Sequence, residues 1–350
     1  MGCASPAGRG RRRRRAFFLQ PTPKGHPDLS ENRSVLVTGG AGFIGSHLVE
    51  RLLGEGGWRV HVVDDFNDFY DPALKRRNVA PHAGREDFRL HEADIRDRAA
   101  LERVFDAGEF DCVVHLAARA GVRPSLSEPL LYAETNITGT LNLLELARRR
   151  EVPQFVFGSS SSVYGENEKV PFAEDDPVAN PISPYAATKA AGELLCHTYS
   201  HLFGLRCVAL RFFTVYGARQ RPDLAIRKFA SLISAGRPVP VFGDGTTRRD
   251  YTYVDDIIAG VRAAMDYRAS RYEVINLGES RTVELRELIA LLERELGRAA
   301  LIERRPLQPG DVPQTFADIS KARALLGYDP RTPIEEGLRR FVAWFKGREL

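Results

Sequence analysis

Val35-Leu36-Val37-Thr38-Gly39-Gly40-Ala41-Gly42-Phe43-Ile44-Gly45-Ser46-His47-Leu48-Val49-Glu50 opens the patterned part of the chain and decides its fold. The β-branched apolar run predicts a strand, the glycines a tight turn, and the segment through Leu52-Leu53 an amphipathic helix. Gly40, Gly42 and Gly45 satisfy a dinucleotide-binding fingerprint, and Gly39, Gly42 and Gly45 satisfy its wider-spaced variant. Missing side chains permit the turn, let backbone approach a pyrophosphate, and bring helix close to sheet. A second strand, Arg59 to Val63, ends in Asp64-Asp65. An acid there accepts hydrogen bonds from ribose hydroxyls and repels a 2′-phosphate, which points to NAD rather than NADP. Asp64 is the expected ribose ligand.

Downstream, strand and helix patterns keep alternating. Residues 88–95 read as a strand ending near Asp94, 99–105 as a helix, and 112–118 as a buried strand. A long helix is expected over 130–150, with Asn136 facing the cofactor. Strand patterns recur at Phe155-Val156-Phe157 and at 207–212. This predicts an α/β fold, a doubly wound parallel sheet of Rossmann type with a smaller substrate-binding lobe. Ligands then belong beyond the carboxyl ends of the strands, near the glycine loop, Asp94, Ala117-Ala118, Ser160 and Thr214.

Ser183-Pro184-Tyr185-Ala186-Ala187-Thr188-Lys189 supplies chemistry. Ser183 suits an N-cap and Pro184 a first helical position. Tyr185 and Lys189, four apart, share a face of that helix. A free phenol titrates near 10, so as a base at neutral pH it needs a nearby cation, which Lys189 supplies. Taken alone, such spacing is ordinary. The hydroxyl run Ser159-Ser160-Ser161-Ser162 at a strand end, aimed at the same substrate atom, makes it a constellation.

The 350 residues suffice for a large core, and the four cysteines lack metal-ligand or paired spacing. A reducing, cytoplasmic setting is expected, with no metal. Residues 1–33 hold eight basic and two acidic side chains, a net of +6, leaving −2 for the rest of a +4 chain. That tail lacks periodicity and is expected to be disordered, at most a weak contact for polyanions. The body gives no electrostatic case for nucleic acid, and no segment has the apolar length of a membrane span.

The motifs Thr38-Gly-Gly-Ala-Gly-Phe-Ile-Gly45, Asp94-Ile95, His115-Leu-Ala-Ala118, Asn136, Ser159-Ser-Ser-Ser-Val-Tyr-Gly165, Tyr185-Ala-Ala-Thr-Lys189, Arg249-Asp-Tyr-Thr-Tyr-Val-Asp-Asp256 and Gly310-Asp-Val312 carry a resemblance. Over residues 34–345 the chain resembles the extended short-chain dehydrogenase/reductases, and within them the nucleotide-sugar 4-epimerases. The resemblance implies NAD held by Gly39, Gly42, Phe43, Ile44, Gly45, Asp64, Asp94, Ile95, Leu116, Ala117, Ala118, Asn136, Tyr185 and Lys189. It implies catalysis by Tyr185, Lys189 and Ser160, a homodimer, a nucleotide-binding domain of 34–217 plus about 246–280, and a substrate lobe of about 218–245 plus 281–350.

Relatives that eliminate water place Asp-Glu in the serine run, and those that lose carbon dioxide place Glu there; this chain has Ser161 and Ser162. Phe212-Phe213-Thr214-Val215-Tyr216-Gly217 with Arg221-Pro222-Asp223 resembles the UDP-glucuronate 4-epimerases, and Asp65 to Lys75 is similar to that subgroup. UDP-glucose 4-epimerases usually have Asn where Thr214 stands. Ser161, Ser162, Thr214 and Arg221 are thus expected around a substrate carboxylate, with Arg221 equally compatible with a surface position. Arg249, Gln308 and Asp311 are expected near the diphosphate or its ribose. Thr315 stands where some relatives carry a bulky residue, leaving room for a larger sugar. Epimerisation of neutral or N-acetylated UDP-sugars, decarboxylation of a UDP-uronate, and a non-catalytic NAD-binding module are the alternatives.

Overall fold

In a computed structural model of the chain, residues 1–2, 33–306 and 312–349 are described. Most of the basic tail, with Gln308 and Asp311, lies outside them. Alternate residues of β1 (Arg33–Thr38) enter two different cores: Val35 and Val37 pack on one face, Leu36 on the other. A strand apolar on both faces belongs in the middle of a covered parallel sheet. That is its position. With β2 (Trp58–Asp64), β3 (Phe88–Glu92), β4 (Cys112–His115), β5 (Gln154–Ser160), β6 (Cys207–Phe212) and β7 (Tyr272–Leu277), it forms a sheet of order 7-6-5-4-1-2-3. Every pair in that sheet is parallel.

Helix α1 (Phe43–Glu55) covers the Val35/Val37 face, as does α5 (Val254–Asp266). On the opposite face α2 (Arg98–Asp106), α3 (Gly139–Arg149) and α4 (Pro184–Phe203) pack over Leu36, Val113, Phe155 and Phe157. Strand order reverses between β1 and β4, which opens a crevice at their carboxyl ends. Beyond the sheet, Pro238–Phe242 pairs in parallel with Leu301–Arg305. Tyr251–Tyr253 pairs with Thr214–Tyr216.

Three expectations are corrected. β4 ends at His115, short of Ala118. β3 stops at Glu92, short of Asp94. The expected long helix is broken: Pro129–Ala133 runs into a π turn, Glu134–Thr138, before α3 begins. Asn136 sits inside that turn. Its Oδ1 accepts the Arg119 N–H at 2.8 Å, and its Nδ2 donates to the Arg119 carbonyl at 2.9 Å and to Thr188 Oγ1 at 3.0 Å. The widened turn lets one amide tie the loop after β4 to α4, a recognised use of such bulges.

Candidate active site

The glycine turn is fixed by contacts that exclude side chains. Gly39 has φ +70°, and a Cβ there would fall 2.7 Å from the Ala117 nitrogen. A Cβ on Gly45 would fall 2.2 Å from the Gly39 carbonyl oxygen. At Gly42, by contrast, a Cβ would meet that carbonyl oxygen at 3.2 Å and the Tyr70 hydroxyl at 3.9 Å, and nothing else nearer than 4 Å. Gly42 caps α1 without a side-chain hydrogen bond. The first-turn N–H groups are therefore left for an anion, as a helix start favours.

Asp64, at the end of β2, is buried. Its Oδ2 accepts from the Ala41 N–H at 3.1 Å and its Oδ1 from Phe66 at 3.0 Å. Burial raises its carboxyl above the usual range, with Lys75 the leading opposing charge. The backbone bonds aim the carboxylate and leave lone pairs for hydroxyl donors. Glycine cradle, uncapped helix start and held acid together fit NAD.

Behind the cradle, His115 is fully buried between Thr38 Oγ1 at 2.7 Å and Thr140 Oγ1 at 2.9 Å. Burial, with Lys189 second, pulls its imidazole down to about 3, so it stays neutral. Thr140 donates to the Asn136 carbonyl, so His115 Nε2–H donates to Thr140 and Nδ1 accepts from Thr38. The Thr38 oxygen accepts the Ala117 N–H in turn at 3.3 Å.

Ser183 caps α4 through the Ala186 N–H at 3.1 Å. The helix carries Tyr185 into the same cavity wall as Ser160. Burial raises the phenol, against the Ser160 hydroxyl and then the Arg221 charge. Lys189 Nζ donates to the Gly158 carbonyl at 2.7 Å and lies 6.0 Å from the Tyr185 ring centroid. Burial lowers its ammonium to about 8, with Glu193 the main opposing charge. Ser160 Oγ accepts from the Ser162 N–H at 3.2 Å and hydroxyl at 3.0 Å, opening the tight turn Ser161–Tyr164.

These groups line one cavity of about 580 Å³. It brings together Gly39, Gly42, Phe43, Ile44, Gly45, Asp64, Ile95, Leu116, Ala117 and Ala118 at one end. Ser160, Ser161, Ser162, Tyr185, Lys189, Thr214, Arg221, Arg249 and Thr315 line it as well. Arg221 is a cavity residue, not a surface one: its side chain is 15 % exposed, forked onto Asp223 at 3.0 and 2.7 Å, and stands 5.1 Å from the Phe69 ring.

Two expected cofactor ligands are not brought into the lining. Asp94 is held by Arg96 through Nε at 2.9 Å and Nη2 at 2.6 Å, outside the cavity wall. Asn136 has its amide bonded to Arg119 and Thr188, which holds the loop after β4. Gln308 and Asp311 lie outside the described residues. Arg119 and Arg123, which belong to none of the sequence motifs, line the cavity just beyond β4. Their place two and six residues after Ala117, at the strand-order reversal, is the signal that finds them.

A sequence model described as GDP-mannose 4,6 dehydratase matches residues 36–341. A UDP-glucuronate 4-epimerase of Thermodesulfobacterium geofontis is 46% identical over 312 residues, 89% of this chain and 95% of the relative. The crystal structure of a UDP-glucuronic acid 4-epimerase from Bacillus cereus with UDP-glucuronic acid and NAD superposes with a TM-score of 0.85 at 38% identity. It covers 90% of this chain and 99% of that one. A Thermotoga maritima UDP-glucose 4-epimerase with UDP-glucose gives 0.83 at 36% identity, over 90% and 99%.

Proposed function

The chain belongs to the extended short-chain dehydrogenase/reductases, in the family described as GDP-mannose 4,6 dehydratase, and from that premise we propose that it is a UDP-glucuronate 4-epimerase. It interconverts UDP-glucuronate and UDP-galacturonate and holds NAD through turnover. One observation carries the reading: the four serines 159–162, Thr214 and Arg221 share a cavity with Tyr185 and Lys189. Among the described residues the carboxylates lining it are Asp64, Asp65 and Asp223. Asp64 belongs to the cradle and Asp223 is paired with Arg221. No acid stands in the serine run to drive water elimination, so epimerisation is favoured over the dehydration that the family description names.

When bound at the glycine cradle, NAD supplies hydride acceptance and return at sugar C4. Tyr185 as phenolate takes the proton of the 4-hydroxyl and later gives it back, while Ser160 hydrogen-bonds the same oxygen. Lys189 and Arg221 are the cations that favour the phenolate against burial. Inversion requires the C4 ketone to offer its other face. A glucuronate oxidised at C4 is a β-keto acid, which loses carbon dioxide when the carboxylate bond stands perpendicular to the ketone plane. Ser161, Ser162, Thr214 and Arg221 hold the carboxylate away from that alignment by charge-assisted hydrogen bonds. Arg249, in the cavity lining, is assigned to the diphosphate.

The lobe of about 218–245 plus 281–350 is assigned to the sugar, and the domain of 34–217 plus about 246–280 to the nucleotide. Three thiols, Cys112, Cys196 and Cys207, are buried and free, which supports a cytoplasmic enzyme. Among the described residues no helix is long and apolar enough to cross a membrane. We base the homodimer on Leu194, Leu202 and Phe203 of α4, 69%, 63% and 51% exposed, and on Leu141 of α3 and Leu130, which are exposed as well. A second copy covers this apolar face; a monomer mass by light scattering at micromolar concentration would refute it. Tyr185→Phe tests the base directly. Bound NAD is retained and turnover falls by about 10³-fold; near-normal turnover would sink the assignment.

A further inference from the structure

Behind the serine run lies a buried ion pair that the chemistry above leaves unused. α4 passes so close to β5 that a Cβ on Gly192 would fall 2.3 Å from the Phe157 ring. This approach presses Lys189 and Glu193, one helical turn apart, against the carboxyl end of β5. Glu193 is buried, and Arg211 of β6 grips it in a fork, Nε to Oε1 at 2.9 Å and Nη2 to Oε2 at 2.8 Å. The Ser159 hydroxyl donates to the same Oε1 at 2.5 Å. One turn of helix thus fastens two consecutive strand residues, Gly158 through Lys189 and Ser159 through Glu193. Ser160 follows directly.

Arg211 extends the clamp forward. Its guanidinium stands 4.7 Å from the ring of Tyr164, the last residue of the turn that Ser160 caps, and its Nη1 donates to the Glu174 carbonyl at 3.3 Å. Tyr164 donates to Asn276 Oδ1 at 2.7 Å. Both ends of the serine turn are therefore referred back to one carboxylate–guanidinium pair.

A buried ion pair contributes little net stability, because desolvation offsets most of its attraction. Its position argues for another role. The ionisable groups facing Lys189 are Glu193, Cys196 and Tyr185 on α4 and His115 from β4, while Arg211 from β6 reaches it through Glu193. His115 is neutral, and burial keeps the Cys196 thiol protonated. Besides the phenolate of Tyr185 itself, Glu193 is the anion of that set.

Resting on the epimerase reading, we propose that Glu193, oriented by Arg211, is a positioning residue: it aims Ser160 through Ser159 and keeps Lys189 an ammonium beside Tyr185. The charge and the aim come from one side chain.

The test uses the full-length protein, Glu193→Gln, and the double variant Glu193→Leu/Arg211→Met, which removes both charges and so avoids an unpaired buried guanidinium. Lys189 ionisation is read from the pH dependence of its acetylation by acetic anhydride, quantified by peptide mass spectrometry; kcat and KM for UDP-glucuronate are followed against pH. In the folded double variant the Lys189 labelling midpoint drops by about one pH unit or more. The alkaline limb of kcat moves down with it, kcat at pH 8 falls by about tenfold, and KM changes by less than about threefold. A folded double variant with the wild-type midpoint and pH profile would overturn the proposal and leave the pair a packing feature. Should the wild type leave UDP-glucuronate unchanged, the reaction assignment falls, while the labelling midpoints still decide whether Glu193 sets the charge of Lys189.

Discussion

The two ends of the cavity are made of different material. At the cradle, shape comes from missing side chains, and the polar groups nearby are already engaged with backbone: Asp64 with Ala41 and Phe66, Asn136 with Arg119. At the sugar end the wall is hydroxyls and guanidinium groups, from Ser160, Ser161, Ser162, Thr214 and Arg221. A dinucleotide presents an invariant pyrophosphate, which fixed N–H groups and a helix start serve well. A sugar that must offer both faces at C4 needs a different wall, one of side chains that exchange partners while the carboxylate stays held. Substitutions at the first end should act through shape and in all-or-none fashion. Those at the second should act through charge and by degrees.

Gly45→Val is the harshest way to break that contrast. Its added carbons meet the Gly39 carbonyl, which is backbone and cannot yield cheaply. Overpacking of this kind costs about 1–3 kcal/mol, and the purified variant should carry no NAD when the nucleotide released on denaturation is measured by chromatography. Bound NAD at the wild-type level would show that the cradle tolerates side chains. Arg221→Met, which keeps bulk and removes charge, sharpens the contrast at the other end. A lost charge-assisted hydrogen bond of about 2–3 kcal/mol corresponds to a fall of roughly 30- to 150-fold in kcat/KM for UDP-glucuronate. Turnover of UDP-glucose should fall clearly less, because it loses only the Arg221 charge that favours the Tyr185 phenolate, and a neutral C6 makes no such bond. Equal losses on both substrates would leave Arg221 a support of the phenolate or of the wall, not a reader of carboxylates.

Much of this was legible because the local signals agree with the fold. The alternation of Val35, Leu36 and Val37 already describes a two-faced buried strand, and the Ser183 cap and Pro184 start of α4 appear where propensity puts them. What stayed hidden depends on which partner each polar side chain takes, and that partner is in several cases distant in sequence. The π turn keeps an apolar periodicity close to that of a helix, and its cause, the bonds from Asn136 to Arg119 and Thr188, spans 17 and 52 residues. Asp94 was read as a ligand, yet Arg96, two residues on, takes its carboxylate. Arg221 looked equally suited to the surface until Phe69 and Asp223 sheltered it. Glu193 and Arg211, 18 residues apart on a helix and a strand, carry no mark in the sequence that separates them from solvated charges.

The most direct test of the central claim is to incubate the purified protein with UDP-glucuronate, adding no NAD, and follow the sugar by NMR. Appearance of UDP-galacturonate is the predicted result, since the cradle retains its cofactor and the sugar end retains the carboxylate. Unchanged UDP-glucuronate, with UDP-glucose converted to UDP-galactose in a parallel sample, would contradict it and reassign the serine and arginine wall to a neutral sugar.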